Sequence, residues 1–265
     1  MYKPLRNKHI VLGITGSIAA YKACEVLRRL QKAGAEVRVV MTAAAQKFIA
    51  PLTFETLTGE SVCTDMFPEI KVQKTRHVKW AEWADCILVC PATANIVGKA
   101  AAGIADDFLS TVLMASREAV VFAPAMDYEM IRNPVYLSNR DRLISFGKRF
   151  IETTEGHLAS GARGPGRLAE PPVIVDHVIK HVTMDYSLKN KRILVTAGPT
   201  REWIDPVRYI TNHSSGKMGY ALADQALLRG CSVTLISGPS EERAMPGINT
   251  ISVNTAEEMY REVKN

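Results

Sequence analysis

Gly13, Gly16 and Ser17 stand where an apolar run gives way to an amphipathic stretch, a spacing that suits an anion. Ile10, Val11, Leu12 and Ile14 read as a parallel strand buried on both faces. Gly13 and Gly16 bracket a turn, and Ser17 can cap the helix that follows, whose free N–H groups and dipole favour negative charge. Val26, Leu27 and Leu30 give that helix an apolar stripe, and Gly34 stops it. Val37, Val39, Val40 and Met41 then make a second strand, ending at Thr42. The stretch 10–42 thus reads as a phosphate site at a strand-to-helix turn, with a structural turn that binds nothing as the alternative.

The dinucleotide fingerprint demands G-x-G-x-x-G and a carboxylate at the end of the second strand for a ribose hydroxyl. Here the glycines are spaced differently, and Val40-Met41-Thr42 offers a hydroxyl instead of an acid. A mononucleotide such as FMN suits this turn better than NAD.

These residues need a scaffold, and the rest of the chain supplies one. Ala43 to Thr58 reads as a helix and loop, 59–76 as a mostly polar segment, and His77 to Asp85 as a short helix. Cys86 to Cys90 is a strand, followed by a Pro/Thr/Asn turn and an Ala-rich helix from Pro91 to Asp107. Val120, Val121 and Phe122 form another strand, ending at Ala123-Pro124. Because strand ends face the crevice of an open parallel sheet, Gly16, Ser17, Thr42, Pro91–Asn95 and Ala125–Asp127 are expected around one pocket. The glycines and prolines of Gly156–Pro171 exclude helix and strand interiors, which leaves a mobile flap or a surface loop.

A second start follows. Residues 1–185 form one unit, 186–190 a polar linker, and 191–265 another unit with strands at Arg192–Thr196, Ser232–Ile236 and Ile248–Val253 and helices at Tyr220–Leu228 and Thr255–Val263. Two or three parallel strands make a thin sheet with open edges, so this second unit reads as unfinished.

Composition narrows the function classes. Lys plus Arg number 33 against 27 Asp plus Glu, and this mild excess suits anionic small molecules. No basic block, aromatic-interleaved patch or zinc spacing supports nucleic-acid binding. Five cysteines, mostly beside apolar residues, read as buried thiols of a reducing cytoplasm, with Cys86 and Cys90 in the core. No segment approaches the ~18 apolar residues of a membrane span, and the basic N-terminus leads into a strand rather than a signal-peptide core.

Several motifs in order carry a resemblance: GSIAAYK, the His77 segment before W-A-D, PATAN, AGIADD, APAM and a flap ending G-P-G-R-L. Together they resemble the FMN-containing cysteine decarboxylases over nearly the whole first unit. AGPTRE, DPVRYI and NHSSGKMG resemble the first part of a phosphopantothenate–cysteine ligase, so the chain as a whole is similar to the bifunctional flavoproteins of coenzyme A biosynthesis. The resemblance implies a flavodoxin-like α/β fold, a parallel sheet flanked by helices, followed by an incomplete Rossmann-like α/β unit. It implies FMN held by Gly16, Ser17, Ile18, Thr42, Pro91, Ala92, Thr93 and Asn95, between subunits of a homo-oligomer, a trimer or a multiple of trimers. The reaction it implies oxidises the cysteine end of 4′-phosphopantothenoylcysteine to a thioaldehyde, releases CO2, and returns the electrons to give 4′-phosphopantetheine.

His77 matches the histidine that the resemblance places beside flavin and substrate, and an imidazole titrating near neutrality can take or position the thiol proton. Met126, Ala159 and Gly161 match substrate-binding positions. Two matched positions depart from the pattern. Asp127 stands where an asparagine grips the substrate carboxylate; an ionised aspartate accepts hydrogen bonds only, so it repels that group unless protonated, bridged by water or paired with a cation such as Arg. Ser160 stands where many relatives carry a cysteine acid, and a hydroxyl is a far weaker acid than a thiol of pKa ~8.5.

In the second unit Asn212 matches a residue implied to steady an acyl-cytidylate, and His213–Lys217 forms a polar turn suited to phosphate. CTP and Mg2+ are expected only with a complete ligase domain, and ligase activity is not expected from this polypeptide alone. Two other readings stay open: a flavin decarboxylase for peptidyl C-terminal cysteine, and a flavin-binding regulatory subunit, which Asp127 and Ser160 would suit.

Overall fold

The computed structural model describes residues 3–66, 76–117 and 119–265, which leaves part of the expected polar segment 59–76 outside the described residues. The chain divides into two units, Met1–Val182 and Thr183–Asn265.

In the first unit, β1 (His9–Ile14), α1 (Lys22–Lys32) and β2 (Glu36–Met41) are followed by α2 (Pro51–Thr58), α3 (Arg76–Trp83) and β3 (Cys86–Ala92). Then come α4 (Ala94–Ala102), α5 (Phe108–Ala115), β4 (Ala119–Pro124), α6 (Tyr128–Arg132), α7 (Pro134–Ser145) and β5 (Arg149–Phe150). A hairpin of β6 (Thr154–His157) and β7 (Arg163–Arg167) precedes α8 (Pro171–Thr183). The five-stranded sheet has the order β2-β1-β3-β4-β5, all parallel. This is the flavodoxin-like strand order, with its topological switch between β1 and β3.

Alternate residues of each strand feed two cores. Ile10, Leu12 and Ile14 of β1 pack with Val26, Leu27 and Leu30 of α1, Phe54 of α2 and Ile174 and Val178 of α8. Val11, Ile87 and Val89 face the other way, onto Trp80 of α3, Ile96 of α4 and Leu109 and Val112 of α5. β3 is buried along its full length, so hydrophobic neighbours on both faces, rather than alternation, explain its unbroken apolar sequence. Each of these fully buried aliphatic side chains contributes about 1.5–3 kcal/mol.

Local signals set the ends. Gly34 closes α1 at φ +101°, where a Cβ would stand 3.0 Å from that of Lys3. Asp107 and Ser110 close a reciprocal capping box at the start of α5. A stack of rings and guanidinium groups fastens α3: His9 lies on Trp83 at 4.6 Å, and Arg38 stands 4.1 Å from the Trp83 centroid and 5.6 Å from that of Trp80. Arg76 adds a further layer 5.4 Å from Trp80. Within the stretch expected as a helix and loop, Ala43–Thr58, a 3₁₀ turn at Ala45–Lys47 precedes a helix that starts at Pro51, where the proline favours a first-turn position.

The expected irregular flap is a correction. Thr154–His157 and Arg163–Arg167 pair antiparallel, and the glycines that argued against a strand are what permit it. A Cβ on Gly164 would meet the Tyr128 ring at 2.4 Å, and one on Gly166 (φ +128°) would meet the Met126 carbonyl at 2.3 Å. The ribbon lies so close to Met126 and to Tyr128 at the start of α6 that only glycine fits at these two points.

The second unit has β8 (Arg192–Ala197), β9 (Arg201–Trp203), β10 (Tyr209–Thr211), α9 (Lys217–Leu228), β11 (Ser232–Ser237), β12 (Asn249–Ser252) and α10 (Ala256–Lys264). Its parallel sheet has the order β12-β11-β8, and β9 pairs antiparallel with β10, a hairpin the sequence reading did not foresee. The expected linker 186–190, with Asp185 before it, is bound to the end of α9, with the Asp185 N–H donating to Leu228 and the Leu188 N–H to Arg229.

Candidate functional site

The turn after β1 opens on a cleft. Ser17 has extended backbone dihedrals, and its Oγ accepts the Ala19 N–H at 3.2 Å, capping the 3₁₀ turn that leads into α1. Beyond this cap, Ser17, Ile18, Ala19, Tyr21 and Lys22 line a cavity of about 500 Å³. Ala125, Met126 and Asp127 form a second wall, and the ribbon supplies a third through His157–Ser160 and Gly166–Leu168. Ile18 and Tyr21 are 61% and 62% exposed, so large apolar surface faces solvent at the tip of a helix.

The third wall is tied down. The Met126 N–H donates to the Gly166 carbonyl at 3.0 Å. At the ribbon's tip the Ser160 hydroxyl donates to Asp127 Oδ2 at 2.6 Å, and the Glu129 N–H donates to Asp127 Oδ1 at 3.1 Å. The Ser160 hydroxyl first, and then the Glu129 amide, hold the Asp127 carboxyl below the usual aspartate range. Both donors favour the ionised form of Asp127. The two positions that depart from the resemblance are therefore partners.

Of the expected residues, the cleft brings together Ser17, Ile18, Met126, Asp127, Ala159 and Ser160. Gly16, Thr42, Pro91, Ala92, Thr93, Asn95, Gly161 and His77 are not among its lining residues. Gly16 packs beneath the turn, where a Cβ would meet that of Ala44 at 2.5 Å. Thr42 caps the following turn through the Ala45 N–H, and its own N–H donates to Ile14. Pro91 and Ala92 are buried, and the Ala92 carbonyl accepts the Ala125 N–H. Their neighbour Thr93 gives its N–H to the Thr15 hydroxyl, which donates in turn to the Pro91 carbonyl at 2.7 Å. Thr15, overlooked in the sequence, thus pins the ends of β1 and β3 together across the switch point. Asn95 and Gly161 are exposed, and His77 is half-buried in the first turn of α3.

Three more residues escaped the sequence reading. Lys22 and Arg167 both line the cleft, and both donate to Oε1 of Glu170, at 3.1 and 3.2 Å. Lys22 and Arg167 lay inside the GSIAAYK and G-P-G-R-L motifs, but nothing in the sequence paired them. The cysteines play a different part: burial pushes the Cys86 and Cys90 thiols up to about 12, so both stay protonated core groups.

The lining can hold a planar, anionic cofactor. Ile18 and Tyr21 present apolar surface to a ring, Ser17 and the adjoining turn offer polar groups to a phosphate, and the volume falls within the usual range for small-molecule sites of about 300–1,000 Å³. Among the described residues no cluster of His, Cys, Asp and Glu suits a metal ion.

Comparison with known proteins places this arrangement. The family model described as Flavoprotein matches residues 1–183. The chain belongs to the Flavoprotein family. The model of the DNA/pantothenate metabolism flavoprotein C-terminal domain matches residues 188–265. The coenzyme A biosynthesis bifunctional protein CoaBC of Bacillus subtilis (strain 168) is 49% identical over 237 residues, 89% of this chain and 58% of the relative. CoaBC of Escherichia coli (strain K12) is 43% identical over 255 residues, 96% of this chain and 63% of the relative. The chain therefore spans less than two thirds of the length of either. Among solved structures, a PPC decarboxylase mutant complexed with pantothenoylaminoethenethiol aligns with a TM-score of 0.60 at 28% identity, over 65% of this chain and 97% of that one. The FMN-dependent cysteine decarboxylase SpaF aligns with a TM-score of 0.60 at 32% identity, over 67% and 97%.

In the second unit a cleft of about 460 Å³ is lined by Arg201, Ser214, Ser215, Lys217 and Pro239–Glu242. Asn212 is not among its lining residues; it is exposed, and its Oδ1 accepts the Ser214 N–H at 2.9 Å.

Proposed function

We propose that this flavoprotein is an FMN-dependent carboxy-lyase that converts 4′-phosphopantothenoylcysteine to 4′-phosphopantetheine in coenzyme A biosynthesis, through a unit over 1–185. The unit over 191–265 is the ligase-like part, with CTP and Mg2+ as its ligands when a complete ligase domain is present. The observation that carries the reading is the cleft at the tip of α1, walled by an anchored ribbon, in a chain whose relatives bear the CoaBC name.

In this reading FMN, when bound, supplies a two-electron acceptor, and the oxidised cysteine end becomes the electron sink that lets CO2 depart. Ser17, with Gly16 behind it, receives the cofactor phosphate, while Ile18 and Tyr21 wall the ring. Thr42, Pro91, Ala92, Thr93 and Asn95 shape the strand ends around it. The ribbon's Ala159 and Gly161 and the wall residue Met126 close over the substrate and exclude water. Ser160 and Asp127 hold that closure. His77 moves the thiol proton. Because His77 does not line the cleft of its own chain, the reading requires a homo-oligomer, a trimer or multiple of trimers, in which one copy's α3 completes another copy's cleft. No helix among the described residues is long and apolar enough to cross a membrane, in keeping with a cytoplasmic enzyme.

The test is to reconstitute the protein with FMN, supply 4′-phosphopantothenoylcysteine and follow CO2 and thiol products. Turnover is expected. FMN bound tightly without turnover would favour the regulatory-subunit reading, which the hydrogen bond donated by Ser160 to Asp127 would then explain as a closed latch.

A further inference from the structure

An ionised Asp127 poses a problem for any substrate that brings a carboxylate to the ribbon's tip. Like charges at close range in a half-buried cleft repel strongly. A compensating cation must be near, and among the described residues Lys22 and Arg167 are the two Lys/Arg side chains lining this cavity.

Their geometry suits the task. Lys22 is the first residue of α1, and its side chain is only 12% exposed. Arg167 ends β7, beside the Gly166 carbonyl that accepts the Met126 N–H, so its backbone adjoins the wall that carries Asp127. Both cations converge on one oxygen, Glu170 Oε1. The carboxylate fixes their positions and neutralises one of their two charges. The trio keeps a single positive charge, the complement of a monoanion. Glu170 engages one of the five N–H donors of the Arg167 guanidinium, and the fork geometry of the others matches a carboxylate.

We propose that Lys22 and Arg167, held by Glu170, form the carboxylate subsite of this cleft, so that Arg167 takes the binding role an asparagine at position 127 would have. The inference rests on the proposed function and specifies how that substrate is recognised. The α-carboxylate of the terminal cysteine lies against the guanidinium, away from Asp127. Asp127 and Ser160 then serve to hold the ribbon shut rather than to grip the substrate. Ion pairing stabilises the carboxylate in the bound state, so the effect falls on affinity more than on turnover.

The test compares binding of three compounds to the FMN-loaded protein and to Arg167→Ala and Arg167→Lys: 4′-phosphopantothenoylcysteine, 4′-phosphopantetheine, which lacks the carboxylate, and pantothenoylcysteine, which lacks the phosphate. Loss of a charge-assisted contact is expected to weaken both carboxylate-bearing compounds about tenfold to a hundredfold in Arg167→Ala. Binding of 4′-phosphopantetheine should change less than threefold, and Arg167→Lys should recover part of the loss. Unchanged binding of 4′-phosphopantetheine also shows that the ribbon still folds over the cleft. Equal weakening of both phosphorylated compounds, with pantothenoylcysteine unaffected, would make this a phosphate subsite and overturn the inference alone. A wild-type protein that binds none of the three and releases no CO2 would overturn the inference together with the functional reading beneath it.

Discussion

The two units each open a cleft where parallel strands end beside a helix start, and the two cavities have similar volumes, about 500 and 460 Å³. Their linings differ. Ile18, Tyr21, Met126, Leu158 and Leu168 give the first an apolar body with few charges, whereas Arg201, Ser214, Ser215, Lys217, Ser240, Glu241 and Glu242 give the second polar groups almost throughout. The first can surround a planar ring and leave one charged tail to the helix tip. The second suits a ligand that is hydrated and charged along its length. Topology places a crevice, and side-chain chemistry decides what enters it. The supporting sheets differ too: β3 in the first unit is buried along its whole length, while β8 in the second alternates between exposed and half-buried until its last residue, the buried Ala197.

The largest expected effect tests the first cleft alone. His77→Ala should lower CO2 release by about 10²–10⁴-fold, the usual range for removing a general acid–base group, while FMN stays bound. A loss under threefold would remove His77 from the chemistry and with it the need for a second copy. Next is the contrast in core. Leu12 of β1 is fully buried, and Leu12→Ala should cost about 2–5 kcal/mol in urea unfolding. Leu194 of β8 is 47% exposed, and Leu194→Ala should stay within about 0.5 kcal/mol. Equal costs would erase the distinction between the sheets.

A smaller effect concerns the ribbon. Gly166→Ala places a side chain at φ +128° and against the Met126 carbonyl, which should cost about 1–3 kcal/mol and raise the rate of proteolysis between β6 and β7. The smallest is electrostatic. The folded Asp127 carboxyl titrates below its unfolded value, so its stabilisation is complete above the unfolded pKa of ~3.9 and disappears as pH falls through the folded value. Asp127→Asn should therefore lower the melting temperature slightly near neutrality, flatten its acid limb below about pH 4, and converge on the parent protein at the acid end. Coincident acid limbs would show that the carboxylate is not specially held.

The sheet was legible in the sequence because its strands are continuous apolar runs bounded by glycine and proline, and the first turn was legible because Ser17 and Gly34 are strong local signals. Three kinds of feature were not. Thr15 looks like any strand-end threonine until β1 and β3 stand side by side. The ribbon's glycines read as breakers because their reason is a close approach to Tyr128 and Met126, residues far away in sequence. The Lys22–Glu170–Arg167 cluster joins residues up to 148 positions apart, a pairing no local pattern encodes. Short-range chemistry was readable, and long-range complementarity required the fold.

The layered stack on α3 has a practical consequence. Trp80 and Trp83 lie in it within the first unit, and the only other tryptophan, Trp203, belongs to the second unit and is 53% exposed. A sequestered indole emits further to the blue than a hydrated one, so the blue edge of the emission spectrum weights the first unit and the red edge weights the second. Loosening of α3 would diminish the blue edge and move the whole envelope to the red, giving an optical readout of the first unit without any label.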